Sequence, residues 1–377
     1  MDIKERIRNF FIRFGFSTEN MEDIECWEYP SFNDYITFQG EKFEKAEKVQ
    51  PYLENKLNES VNKCKEAYKQ YSDGSFAFTT DVHIHANTLT EIPMLKYLAE
   101  NRIIDKAFCG GDFVWAFGTK EFMLVDAALS MEYVKAINTV LPFYITRGNH
   151  DFTVRYTSER NCEGDYIGEG YTLPFNKTCE IIMSHQPKNI KANHNCMYFY
   201  TDNETEKIRY IVLDTHSKNH AAENTPWGIA YGFDKEQLDW LVNDALQLPY
   251  KDEWTVIVFG HIPCVESLPD SDSVLGELAE VLKDFKNKRK GKYADFTNSK
   301  GEFAAYICGH NHKDASVVED GTLFISTGCS SYCPDDGIDR TVGSENEVLF
   351  DVFLINKTDK KIKAVRFGAG SDREFSY

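Results

Sequence analysis

Between residues 75 and 326 the chain alternates short apolar runs with longer stretches of helical periodicity, which restricts it to a layered α/β fold. The runs at 76–80, 106–109, 142–146, 208–213, 255–259, 303–308 and 322–326 are rich in aromatic and β-branched residues and predict strands. Helices are predicted between them over 91–101, 121–138 and 234–247. The last opens with Asp234 and Gln237, the spacing of a capping box that satisfies orphan N–H groups. Five strand ends run into Asp81-Val82-His83, Gly110-Gly111-Asp112, Gly148-Asn149-His150-Asp151, Gly260-His261 and Gly309-His310-Asn311-His312. In open α/β sheets ligands bind beyond the carboxyl ends of the strands, and glycines there let the backbone turn tightly against them.

Three divisions follow: a helical extension over 1–74, a main domain over 75–330, and a terminal segment over 331–377. Residues 1–17 mix Lys4, Arg6, Arg8 and Arg13 into an apolar stretch, which predicts an amphipathic helix and not an export signal. Residues 42–71 repeat apolar positions at helical intervals. The terminal segment predicts an Asp- and Gly-rich loop and then a β-hairpin of 347–356 and 361–367, paired onto the main sheets because two strands alone are marginal. The Lys-rich stretch 286–292 reads as an exposed loop. No run reaches the roughly 20 apolar residues of a membrane helix, so no membrane insertion is expected. Ten cysteines without CxxC pairs predict reduced thiols and a cytoplasmic location, and a disulfide or metal role for Cys329 and Cys333 is disfavoured. A net charge of −18 disfavours a nucleic-acid partner and leaves a small phosphorylated substrate held at a local cationic site.

Carboxylate, amide oxygen and imidazole together suit borderline divalent ions such as Mn²⁺, Fe²⁺ or Zn²⁺. Two Asp, one Asn and four His exceed the needs of one ion. They suit two ions about 3.5–4 Å apart sharing a carboxylate, an arrangement that generates hydroxide and clamps a displacement. The ordered set Asp-x-His, Gly-Asp, Gly-Asn-His-Asp, Gly-His and Gly-His-x-His resembles the calcineurin-like metallophosphoesterase superfamily. The resemblance implies a two-sheet β-sandwich flanked by helices, with metals at one sheet end. It implies Asp81, His83 and His312 on the first ion, Asn149, His261 and His310 on the second, and Asp112 bridging both. His150 would stay off the metals and assist the leaving oxygen, with Asp151 orienting and charging its imidazole. The reaction expected is hydrolysis of a phosphodiester or phosphomonoester by a metal-bridging hydroxide. His85 and Arg147 are the expected substrate contacts, with carboxylate pairing equally open for Arg147.

Departures from the pattern narrow the branch. Asp112 is followed by Phe113, Val114, Trp115 and Ala116, without the Arg that protein phosphatases carry there. Trp115 occupies the slot of the metal-binding Tyr of purple acid phosphatases. A diesterase is therefore expected. A phosphomonoesterase or protein phosphatase, a nuclease, and a non-catalytic metal-binding scaffold are the alternatives. Trp115, Phe117, Trp227 and Tyr231 could wall a leaving-group pocket or fill the core, and His216 and His220 could line the cleft mouth or lie in a loop.

Overall fold

The computed structural model describes residues 2–18, 40–84, 88–115, 120–154, 171–193, 196–216, 232–248, 254–271, 275–331 and 340–377. The first sheet contains β1 (Gly74–Thr79), β2 (Ala107–Cys109) and β3 (Phe143–Ile145), which run parallel. After a short β4–β5 pair (Thr153–Val154 and Tyr171–Thr172) come β6 (Lys191–Ala192), β7 (Phe199–Asn203), β8 (Ile208–Val212), β9 (Thr255–Phe259), β10 (Glu302–Cys308), β11 (Ala315–Glu319) and β12 (Thr322–Ser326). These last seven form the second sheet in the order β11-β12-β10-β9-β8-β7-β6. The chain returns to the first sheet with β13 (Leu349–Asn356), β14 (Lys361–Gly368) and β15 (Arg373–Ser376), completing the order β15-β14-β13-β1-β2-β3.

Alternation along each strand builds the layers. Phe76 and Phe78 face the second sheet with Phe108 and Phe353 and meet its Tyr210 and Phe259, while Ala77 faces outward. On β9, Ile257 and Phe259 enter the same inter-sheet core and Val256 and Val258 face outward. Phe108 and Phe259 stack across the gap at 4.2 Å. With both faces covered, the central strands are apolar throughout.

Helices cover the outer faces. Over the first sheet lie α1 (Ile3–Phe14), α2 (Glu54–Ala67), α3 (Glu91–Glu100) and α4 (Lys120–Asn138), with α1 packed on α4. α1 buries Ile7, Phe10, Phe11 and Phe14, one stripe at i, i+3, i+4 and i+7, with Asp2 capping its start and Gly15 in the left-handed region ending it. Another helix, α5 (Phe175–Met183), joins the same outer core. The second sheet is covered by α6 (Lys235–Trp240, continuing through a wider turn over Leu241–Ala245) and α7 (Gly276–Lys286). At α6 the capping box is half made. Asp234 accepts from the Gln237 N–H at 2.8 Å, but the Gln237 amide pairs with the Asp214 backbone, accepting its N–H at 2.9 Å and donating to its carbonyl at 2.7 Å.

All the expected strands form. The terminal hairpin is more than an appendage: β13 pairs antiparallel with β1, and β15 adds a strand that the short, charged 373–376 segment did not announce. The 286–292 stretch is tied down by acids, with Lys286 on Glu302 and Arg289 on Asp284 and Asp320. Among the described residues, no helix is long and apolar enough to cross a membrane.

Glu91, on α3, is fully buried and accepts from Thr79 Oγ1 at 3.1 Å, Tyr133 OH at 3.2 Å and Ser330 Oγ. Burial pushes its pKa up to about 7. The folded state thus keeps a proton that the unfolded chain releases near 4.5, so stability falls as pH rises through that window. Glu91→Gln removes the titration, and the variant should gain on the wild type by about 2–3 kcal/mol between about pH 5 and pH 7.5. Urea unfolding at both pH values checks this; an unchanged difference would refute it.

Candidate metal centre

β1, β2 and β3 of one sheet and β9, β10 and β12 of the other end at the same seam. Backbone hydrogen bonds knit their ends together. Asp81 N–H donates to Gly111 O at 2.9 Å, His83 N–H to Asp112 O at 2.9 Å, and Gly309 N–H to His261 O at 3.1 Å. Glycine is required where these loops touch: a Cβ on Gly148 would collide with the Asp112 carboxylate, and one on Gly309 with Thr80 and Asp81. Asp81, His83, Asp112, His310 and His312 all adopt positive φ, between 36° and 74°. Such conformations are uncommon outside glycine and persist where the surroundings over-determine them, typically at functional sites.

The seven expected donors converge. The ligand atoms of Asp81, His83 and Asp112 lie within 4.8 Å of one another, and so do those of Asp112, His261 and His310, so Asp112 belongs to both groups. Asn149 Oδ1 joins the second group, 2.9 Å from both His261 Nε2 and His310 Nδ1. His312 Nε2 joins the first, 3.3 Å from Asp81 Oδ1.

The imidazoles are set by their backs. His83 Nδ1 lies 3.0 Å from Val114 O, His150 Nδ1 2.8 Å from Trp115 O, and His261 Nδ1 2.7 Å from Gly110 O. A carbonyl only accepts, so each Nδ1 carries the hydrogen and Nε2 is the unprotonated nitrogen of the neutral ring. His261 Nε2 then meets two oxygens, Asn149 Oδ1 and, at 3.2 Å, Asp112 Oδ2. Burial opposes charge at this imidazole, yet the Asp112 carboxylate, together with Asp81 and the Gly110 carbonyl, more than offsets it and raises the pKa to about 9. Such a cluster of acceptors wants a cation, either a proton or a metal ion in its place. Burial, reinforced by a neighbouring imidazole, lowers His83 and His310 to about 3, which keeps their lone pairs available. The wholly buried Asp81 offers an oxygen, Oδ1, that accepts no hydrogen bond. Donor chemistry and this orphaned oxygen both fit divalent cations.

The remaining expected residues are placed differently. His150 is half-buried, its ring 5.0 Å from that of His83. The expected pairing of Asp151 with its imidazole is replaced: the Asp151 carboxylate accepts backbone N–H groups from Asp112 (3.0 Å), Phe113 (2.6 Å), Val114 (3.2 Å) and Gly148 (2.7 Å). Adjacent in sequence, the two side chains turn to opposite tasks, and Asp151 fixes the loop that carries Asp112. Arg147 is likewise redirected. Its guanidinium is buried and forks onto Asp214 at 3.0–3.3 Å while also donating to the His216 carbonyl, so it is not poised for substrate. Trp115 packs edge-on against His83 with centroids 4.8 Å apart. His216 is buried near His261, 5.8 Å between ring centroids. His85, Phe117, His220, Trp227, Tyr231 and Cys333 lie outside the described residues.

Sequence reasoning disfavoured a metal role for Cys329, yet its Sγ clusters with ligand atoms of His83 and His312. Its signal was present: β12, like four of the five strands named above, is followed by a glycine and then a potential ligand, Gly328-Cys329.

The family described as calcineurin-like phosphoesterase matches residues 74–314. Among solved structures, the chain is similar to GAP50, the anchor in the inner membrane complex of Plasmodium, at 15% identity and a TM-score of 0.45, over 80% of this chain and 88% of that one. It is also similar to a predicted phosphoesterase from Streptococcus pneumoniae at 14% identity and a TM-score of 0.32, over 81% and 98% of the two chains. An archaeal phosphodiesterase follows at 12% identity and a TM-score of 0.33, over 78% and 99%. No curated protein matches the sequence.

Proposed function

The chain belongs to the calcineurin-like phosphoesterase family, and on that premise we propose that it hydrolyses a phosphodiester with two divalent ions, a phosphomonoester being the second substrate class. The observation that carries this reading is the convergence of two donor groups on the shared Asp112. Asp81, His83 and His312 would hold one ion, Asn149, His261 and His310 the other, and Asp112 both. Such ions, of manganese, iron or zinc, supply Lewis-acid charge to phosphoryl oxygens and an activated water for in-line attack.

The protein's own groups do the rest. His150, with Nδ1–H anchored on the Trp115 carbonyl, offers Nε2 as the atom that donates a proton to the departing oxygen when the ring is doubly protonated. Asp112 Oδ1 accepts the backbone N–H of His150 at 2.7 Å, which ties the loop carrying the acid to the same carboxylate that joins the two donor groups. Asp151 acts as a positioning residue through the four N–H groups it gathers. The diester preference rests on the missing protein-phosphatase Arg and on Trp115 in the tyrosinate slot. A polymeric nucleic-acid substrate is disfavoured further by the acid partners of the 286–292 cations.

Turnover of bis-nitrophenyl phosphate and nitrophenyl phosphate with added Mn²⁺ tests the reading. Exhaustive chelation should abolish both activities and Mn²⁺ should restore them, with the diester turned over faster. A rate that survives chelation contradicts the metal mechanism.

A further inference from the structure

Cys329 follows β12 and lies at the seam beside His83 and His312. Its Sγ and the ring nitrogens of His83 and His312 form one group with all ligand atoms within 4.8 Å of each other. The residue is fully buried, and its thiol donates to the Asp81 carbonyl oxygen at 3.2 Å, a hydrogen bond that ligation would replace. A buried cysteine often serves only as a small hydrophobe. Here, however, its neighbours are two imidazoles and a carbonyl oxygen, not an apolar pocket.

The backbone around it is clamped. Ser330 N–H donates to Thr80 O at 2.9 Å and Ser331 N–H to Asp81 O at 3.1 Å. Arg340, itself buried, donates to the carbonyls of Cys329 (2.6 Å), Ser330 (2.6 Å), Ser331 (2.7 Å) and Glu347 (2.7 Å). A thiol held this way needs no further ordering to act as a ligand. An independent feature points to a cation at the same place: the buried Asp81 Oδ1 accepts no hydrogen bond and sits 3.3 Å from His312 Nε2.

We propose that Cys329 binds, as a thiolate, the ion held by Asp81, His83 and His312, and that this position selects a thiophilic ion, zinc or ferrous iron, over manganese. Ligation exchanges the S–H bond for a sulfur–metal bond and releases the proton to water. The proposal rests on the two-ion reading above and adds a ligand to it.

X-ray absorption of the zinc-loaded full-length protein decides the matter without any substitution. Expected is a sulfur neighbour at about 2.3 Å, averaging half a sulfur per zinc when two ions are bound. In the cobalt-substituted protein a sulfur-to-metal charge-transfer band should appear in the near ultraviolet, and Cys329→Ser should abolish it at unchanged cobalt content. The same variant should lose about tenfold or more in zinc affinity relative to manganese. Two zinc ions per chain with only nitrogen and oxygen neighbours would overturn the thiolate alone. A chain that takes up no zinc would overturn the two-ion reading with it.

Discussion

Asp112→Asn should lower metal-activated turnover of bis-nitrophenyl phosphate by about three orders of magnitude, and the bound divalent ions should fall from two per chain toward one. Among the described residues the carboxylate is the donor common to both ligand groups, and it sits against His261 at 3.2 Å and accepts the backbone N–H of His150 at 2.7 Å. An amide keeps one oxygen but removes the negative charge and the second accepting atom. Electrostatic support of this kind contributes several kcal/mol, and each ~1.4 kcal/mol is tenfold in rate. His150→Ala provides the contrast: a loss of about 10²–10⁴ in kcat at unchanged metal content, as expected of a proton donor that is not a ligand. Steady-state kinetics beside metal analysis separates the two. A wild-type rate in Asp112→Asn with both ions retained would refute the shared-carboxylate assignment.

Arg366→Met should destabilise the fold by about 3–5 kcal/mol, the cost of stripping a buried ion pair of one partner. Arg366 is fully buried and bonds Asp351 through Nε at 2.8 Å and Nη2 at 3.2 Å, Asp314 through Nη2 at 2.7 and 2.8 Å, and Ala369 O through Nη1 at 2.9 Å. Asp351 lies on β13 of the first sheet, whereas Asp314 follows His312 and accepts the Gly328 N–H at 3.0 Å. The cluster therefore fastens both sheets together just behind the metal-binding loops. Arg373 still reaches both carboxylates and places the effect toward the lower end of the range. Although burial opposes it, Arg366 holds Asp314 below the ordinary carboxylate range. Its contribution is thus complete above the unfolded value of about 3.9 and is lost as pH falls through the lower folded value. Equilibrium denaturation of wild type and variant measures the difference; a variant as stable as wild type would show that the cluster contributes no net stability.

What could be read from the residues alone was whatever depends on local order. Apolar runs ending in Gly-Asp, Gly-Asn-His-Asp or Gly-His-x-His mark strands and the residues that follow them, and these positions fall where expected. Pairing between neighbours was far less legible. Asp151 stands next to His150 yet serves four backbone N–H groups, and Arg147 stands beside the Gly-Asn-His-Asp motif yet is consumed by Asp214, 67 positions away. Cys329 carried no legible metal signal beyond its preceding glycine, because the atoms it meets, on His83, Asp81 and His312, come from other strand ends. Local sequence determines which backbone segments form and which residues emerge at their ends, because propensity and alternation act over a few residues. The partner of each buried polar group is decided only by tertiary packing, which brings Asp81 against His310 across 229 positions and must satisfy every donor and acceptor at once.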